Sequence, residues 1–314
     1  WFIIVVLIGL AISIIAAKGF NTVAKAANWM SPVIVLGFVA SAFVALQQLG
    51  VGSFSDFWDI WGSGSEPFPG QIKYTFWHVC LWSWFANAAM HIGMSDLTVF
   101  RFAAHPKSGW TTAAGMYIGH FVAWIAAALL YAVYIRTPEA QNLLANGLAP
   151  TVAPGPLAYN AIGIAGIVVV ILAGWTTANP TIYRAGLAFQ AIFPKMSTAS
   201  VTLLAGGIAT LAGIFPAFAM QLLDFVALYG FILAPVGAII VFQHFFSKSW
   251  GVQNYLQQPF QGSFNSNVLL AWAIGFGVFY GISIYFDIFL SYLTLPAWIS
   301  CGVLYLLLSK SKTQ

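Results

Sequence analysis

The chain has 314 residues, 61% of them hydrophobic and 6% charged, with a formal net charge of +4 at pH 7 and a mean hydropathy of +0.88. That composition excludes a soluble globular domain and marks an integral membrane protein, while the small positive balance is what basic cytoplasmic loops produce and gives no reason to infer a nucleic-acid partner. Segments of about ten residues alternating apolar and polar, the mark of a transmembrane β-barrel, do not occur, so an all-α membrane bundle is expected.

A spanning helix needs roughly 20 apolar residues, and nine stretches read as spans: Phe2–Ala17, Trp29–Leu49, Tyr74–Ala104, Ala113–Ile135, Ala161–Tyr183, Ser200–Phe218, Leu222–Phe246, Asn267–Phe286 and Ile288–Leu308. The first begins directly behind Trp1, with no Met and no leader, so a single membrane domain over 1–314, truncated at its N-terminus, is expected. Cys80 and Cys301 fall inside apolar stretches and read as small buried hydrophobes. Basic residues are retained on the cytoplasmic side of a membrane. With the C-terminus inside, Lys18, Lys25, Arg101, Lys107, Arg184, Lys195, Lys248, Lys310 and Lys312 are all inside, and only Lys73 and Arg136 are outside. This asymmetry predicts a multi-pass protein of the cell membrane with a cytoplasmic C-terminus.

The third stretch, extended back to Lys73, is about 32 residues long, too many for one straight crossing. Ala86-Asn87-Ala88-Ala89 lies near its middle, between Trp82, Trp84 and Phe85 on one side and His91, Gly93, Ser95 and Asp96 on the other. Two readings stand. One is a discontinuous helix whose half-helix ends offer unpaired backbone groups to a ligand near the midplane. The other is a tilted helix that runs into the cytoplasm, with Ser95 or Asp96 as a cap and Arg101 at the membrane surface. The aromatic cluster suits stacking on a planar ring, whereas Trp77 with Tyr74 reads as an interfacial belt. His91 and His120 are ionisable groups within spans, suited to proton relay or to a helix-to-helix bond. The Pro-, Gly- and Asn-rich segment Thr137–Tyr159 is an external connection, either a lid or a plain connector. Asp224 reads as a first-turn acid favoured by the helix dipole.

The fifth stretch carries the most informative run, Gly174-Trp175-Thr176-Thr177-Ala178-Asn179-Pro180, a polar patch in a strongly apolar helix. Ala173, Thr176 and Thr177 stand at i, i+3 and i+4 and share a face. Two hydroxyls with a carbonyl one turn earlier form part of a hard-oxygen cage suited to Na⁺. The alternative is that both hydroxyls bond back to the preceding turn or pack against a neighbour. Pro180, which cannot donate a backbone bond, is expected to loosen the helix beside Asn179.

Ala173-Gly174-Trp175-Thr176-Thr177, followed by Tyr183 and Ala185-Gly186-Leu187, resembles the eighth helix of the nucleobase:cation symporters, the purine, cytosine, allantoin and hydantoin permeases. Phe225-Val226-Ala227-Leu228-Tyr229-Gly230 through Pro235 to Ile240 is similar to that family's tenth helix. Asn267 to Trp272 resembles the start of the eleventh, and Asp96 with Arg101 the end of the sixth. The chain would then hold helices four to twelve.

The resemblance implies a leucine-transporter-like inverted-repeat bundle, here incomplete, with alternating access around a midplane site. It assigns Ala173, Thr176 and Thr177 to a Na⁺ site completed by a first helix that this chain lacks. It also implies a planar substrate stacked between an aromatic of a third helix, absent here as well, and Trp84 or Phe85, with Asn179 hydrogen-bonding the heterocycle; Asn87, the one amide in the Ala86–Ala89 run, is a further candidate substrate contact. The implied function is cation-coupled symport, by Na⁺ or H⁺, of a cytosine, purine, uracil, allantoin or hydantoin type of substrate. A monomer with no cofactor and no catalytic chemistry is expected. An amino-acid or amine symporter of the same fold is the alternative, and a membrane enzyme a distant one. Ala178, where relatives often carry an acid or amide, and Gln243-His244-Phe245, where they carry an acidic-aromatic pair, depart from the family pattern.

Overall fold

The computed structural model describes residues 2–60, 67–68, 70–90, 97–150, 152–215, 222–253 and 265–310, with backbone only at 84–90, 97, 99 and 222–227. Among them the regular structure is helical, apart from one isolated antiparallel bridge between Val252 and Lys310. The chain divides into two compact units, Trp1–Lys73 with Ala104–Phe215, and Tyr74–Ala103 with Pro216–Gln314.

The first unit holds α1 (Phe2–Ala17), α2 (Phe20–Leu49), α3 (Phe54–Asp59), α6 (Ser108–Tyr134), α7 (Pro138–Ala145), α8 (Pro154–Ile162), α9 (Ile164–Ile192) and α10 (Thr198–Gly213). The second holds α4 (Phe76–Met90), α5 (Leu97–Phe100), α11 (Leu222–Phe246), α12 (Ser266–Phe286) and α13 (Leu290–Ser309). Among the described residues six helices are long and apolar enough to cross a membrane: α2, α6, α9, α12, α13 and, within α11, Leu228–Phe246. The apolar helices α1 and α10 have 16 residues each, about 24 Å at 1.5 Å per residue and short of a hydrocarbon core of roughly 30 Å. This is a helical multi-pass membrane protein. Its outer surface agrees: Trp29 and Ile164 are each 75% exposed and Ile3 70%, an arrangement suited to lipid and costly in water.

Lipid supplies no hydrophobic force to drive helices together, so close contact depends on small residues. In the first unit Gly9 lies against Thr210 and Ser13 against Gly206, which runs α1 antiparallel to α10. Gly186 meets Thr202, Gly37 meets Val169, and Gly166 meets the Ala158 carbonyl. In the second unit Gly275 meets Cys301 and Gly302 meets the ring of Phe242. A Cβ at any of these glycines would overlap its neighbour.

Helices α2 and α9 outrun their apolar stretches, α9 by continuing past Tyr183 to Ile192. α2 starts at Phe20 rather than Trp29, because Asn21, Thr22, Lys25 and Asn28 extend the helix with polar turns while Val23 packs in the cluster of Ile12, Ile182 and Tyr183. Hydropathy marks where lipid begins, not where a helix ends. The Thr137–Tyr159 connection contains α7 and most of α8, and it is anchored: Leu157 packs with Ala45, Leu129 and Leu130, and the Tyr131 hydroxyl donates to the Pro150 carbonyl at 2.8 Å.

α3 opens with a capping box. Asp56 Oδ2 accepts from the backbone N–H of Gly52 at 2.9 Å and of Ser53 at 2.8 Å, while Ser53 Oγ accepts from Asp56 N–H. These bonds, led by that of Gly52, hold the Asp56 carboxyl below the usual carboxylate range. A depressed folded value means that the stabilisation is present above the unfolded value and is lost as pH falls through the folded one. Hydrogen exchange at the α3 amides, corrected for intrinsic rates, should therefore lose protection between about pH 6 and about pH 2, and Asp56→Ala should remove that pH dependence.

Candidate functional site

The polar run of α9 lies on a helix that stays continuous through Pro180, not broken there as the sequence suggested. Membrane helices tolerate proline because neighbouring groups take over the freed positions. Pro180 denies the Thr176 carbonyl its usual amide donor, while the Thr181 hydroxyl donates to the Thr177 carbonyl at 2.8 Å and Arg184 Nη2 donates to Thr181 Oγ1 at 3.1 Å.

Both hydroxyls of the Thr pair turn to one atom. Thr176 Oγ1 donates to the Ala173 carbonyl at 3.0 Å and Thr177 Oγ1 to the same oxygen at 3.1 Å. Three hard oxygens thus meet on one turn. Two hydroxyl oxygens within hydrogen-bond distance of one carbonyl oxygen are near enough to one another to turn toward a single hard cation. A cation bound there would displace the two hydroxyl hydrogens from the carbonyl and would need further oxygens to fill its shell. In the uncomplexed geometry the same bonds are ordinary back-bonding of threonine within a helix.

Thr177, Gly174, Thr181 and Ala188 are exposed, although the upper part of the helix exposes Ile164, Ile167, Val168 and Ile171. The face of α9 that begins at the oxygen triplet is therefore small and hydroxylated, unlike a lipid-facing helix surface.

Asn179 looks elsewhere. At 3.6 residues per turn it stands about 160° around the helix from Thr177, and it is 2% exposed. With its amide oriented to satisfy both ends, Nδ2 donates to the Ile12 carbonyl at 3.2 Å and Oδ1 accepts from Trp175 Nε1–H at 2.9 Å. It ties α9 to α1 beside the core of Ile12, Ala16, Ile182 and Tyr183. A heterocycle would have to displace one of these partners to reach it.

Trp84, Phe85 and Asn87 lie on α4, which runs unbroken from Phe76 to Met90. The helix is thus continuous through Ala86–Ala89, where a break was one of two readings. Trp84 and Asn87, three apart, share a face and Phe85 stands about 100° away; the side chains of these three lie outside the described ones, as do His91 and Asp96 entirely. His120 is exposed, with Nδ1 at 2.9 Å from the Met116 carbonyl of its own helix. Among the described residues no three His, Cys, Asp or Glu side chains cluster as metal ligands.

A buried polar link in the second unit was not anticipated. The Tyr305 hydroxyl donates to Gln243 Oε1, and Gln243 Nε2 donates to the Gln253 carbonyl at 2.9 Å, joining α11, α13 and the chain after α11. The amide at 243, where the resemblance leads one to expect an acid, was the available signal.

No protein-family model matches the sequence, and neither does any curated protein or any solved structure.

Proposed function

We propose that this chain acts in secondary active transport, coupling inward movement of Na⁺ or H⁺ to uptake of a nucleobase or related planar N-heterocycle. The observation that carries the reading is the meeting of the Ala173, Thr176 and Thr177 oxygens on one turn of α9, at the positions that the family resemblance assigns to the cation. The uncovered hydroxylated face below them supports it, since lipid is a poor neighbour for such a surface. The finer architecture proposed is a leucine-transporter-like bundle with nine spans, monomeric, in the cell membrane, with the C-terminus cytoplasmic.

In this reading Trp84 or Phe85 stacks on the substrate and Asn87 lies beside it, with Asn179 as a further contact if its amide is released from Ile12 and Trp175. Cation and substrate reinforce each other by stabilising one arrangement of the same helices. No covalent step is involved. The test is uptake of labelled cytosine, uracil, adenine, allantoin and a hydantoin into proteoliposomes, with and without an inward Na⁺ gradient and with a pH gradient alone. Gradient-dependent accumulation of one of them is expected. Flat uptake of all five under every gradient would reject the proposal.

A further inference from the structure

Three basic side chains of the first unit border one buried cluster. Ala16 of α1, Val23 of α2 and Ile182 with Tyr183 of α9 pack together. Lys18 follows Ala16 by two residues, Lys25 follows Val23 by two, and Arg184 follows Tyr183 by one. At a rise of 1.5 Å per residue, the three cations stand within about one helical turn of each other along the membrane normal. Lys18 and Lys25 are exposed and Arg184 is half-buried. Arg184 gives one N–H to the neutral hydroxyl of Thr181 at 3.1 Å. Among the described residues no acid of this unit stands at this end: Asp56, Asp59 and Glu139 follow the opposite ends of α2 and α6, which Arg136 ties together through the Leu49 carbonyl at 3.3 Å. The unit's remaining acid, Glu66, lies outside the described residues.

The surroundings of the two lysines point to the partner. Lys18 N–H bonds the Ile14 carbonyl at 3.2 Å, continuing α1 by one residue. Ile14, one turn before Lys18, is 49% exposed, and Trp29, one turn after Lys25 on α2, is 75% exposed. Residues four apart share a helix face, so each lysine ends a strip of apolar surface that suits hydrocarbon, at the level where tryptophan meets the headgroups. Lysine extends its charge from such a place into the interface. A soluble anion or an acidic protein would meet the charges but leave the strips uncovered. The dipole of α2 adds to the positive field, since its N-terminus lies between Lys18 and Lys25 and has no side-chain cap.

We propose that this end of the first unit binds anionic phospholipid, with Arg184, Lys18 and Lys25 as its phosphate-binding side chains and acyl chains along the strips of Ile14 and Trp29. Arginine offers a phosphate two parallel N–H bonds, and lysine a point charge. Basic residues on this side also orient the chain in the membrane, a role that makes no distinction between these three and Lys248 or Lys310 of the second unit. The lipid site holds whatever the chain transports.

The test is titration of the full chain in detergent micelles with phosphatidylglycerol or with phosphatidylcholine of the same acyl chains, bound lipid being counted by native mass spectrometry. The wild type should bind phosphatidylglycerol tighter by about tenfold or more. Each of Lys18→Gln, Lys25→Gln and Arg184→Gln should cut that preference by about fivefold, the worth of one basic side chain near an anionic surface. Lys248→Gln combined with Lys310→Gln should leave it intact, and Arg184→Lys, which keeps the charge, should lose less than Arg184→Gln. Because Lys18 and Lys25 are exposed, their variants keep the fold and decide the matter without Arg184. Absence of a preference in the wild type, or an equal loss in the second-unit pair, overturns the proposal. So does displacement of phosphatidylglycerol by millimolar inorganic phosphate, which would mark a site for a soluble anion.

Discussion

Replacing both Thr176 and Thr177 with valine is expected to abolish Na⁺ stimulation of uptake while leaving α9 folded. Valine keeps the shape of threonine and removes only the hydroxyls, which in the structure bond within their own helix to the Ala173 carbonyl. Losing such back-bonds costs a helix little, since threonine's local bonds compete with helical geometry as much as they support it. Losing two cation ligands costs much more. Taking each as comparable to a hydrogen bond to a charged group, on the order of 1.5 kcal/mol or more, the half-saturating Na⁺ concentration should rise by at least about a hundredfold. Thr176→Ser with Thr177→Ser retains both oxygens and should restore most of the dependence. The discriminating measurement is Na⁺-dependent initial uptake at fixed substrate, with protein level in the membrane read in parallel. If the valine pair responds to Na⁺ as the wild type does, the two hydroxyls are helix back-bonds and the cation assignment is wrong.

The membrane class and helical fold could be read from composition and hydropathy because lipid imposes one strong rule, internal satisfaction of the backbone over a fixed thickness. That rule leaves little freedom in where apolar stretches fall, and α11 begins and ends where the apolar pattern does. It does not say how far a helix continues into polar territory, which is why Lys25 lies within α2 and Arg184 within α9. Proline was the least informative signal. Pro32, Pro180, Pro235 and Pro296 all lie inside continuous helices, and what decides whether such a helix breaks is the supply of alternative donors around it, a tertiary property. The oxygen triplet of α9 was legible because its members are three and four residues apart on one helix. The Asn179 bridge was not, since its partner carbonyl at Ile12 is contributed by a helix far away in sequence.

Asn179→Leu should separate a packing role from a substrate contact. The amide is buried between the Ile12 carbonyl and Trp175 Nε1–H, and leucine fills a similar volume while satisfying neither. Leaving the Trp175 indole N–H and the Ile12 carbonyl without their amide partner costs up to about 1–3 kcal/mol, a large fraction of the margin by which a domain stays folded. Thermal unfolding in a fixed detergent should therefore shift clearly downward, and the amount of protein reaching the membrane should fall. Trp175→Phe removes the donor from the other side of the same bond. If the bridge is a mutual tie, the two changes are not additive, and the double variant is less destabilised than the sum by about 0.5 kcal/mol or more. On that account the surviving Asn179→Leu protein binds substrate with an unchanged KM. A substrate contact gives the opposite division: stability close to wild type, additive effects with Trp175→Phe, and a KM raised by about tenfold or more, because a heterocycle polar group is left unpaired in the site. The two outcomes differ in sign on separate measurements, and the bridge geometry favours the first: both ends of the amide are already engaged, and releasing them for a ligand would expose the Trp175 N–H in the interior that holds α1 to α9.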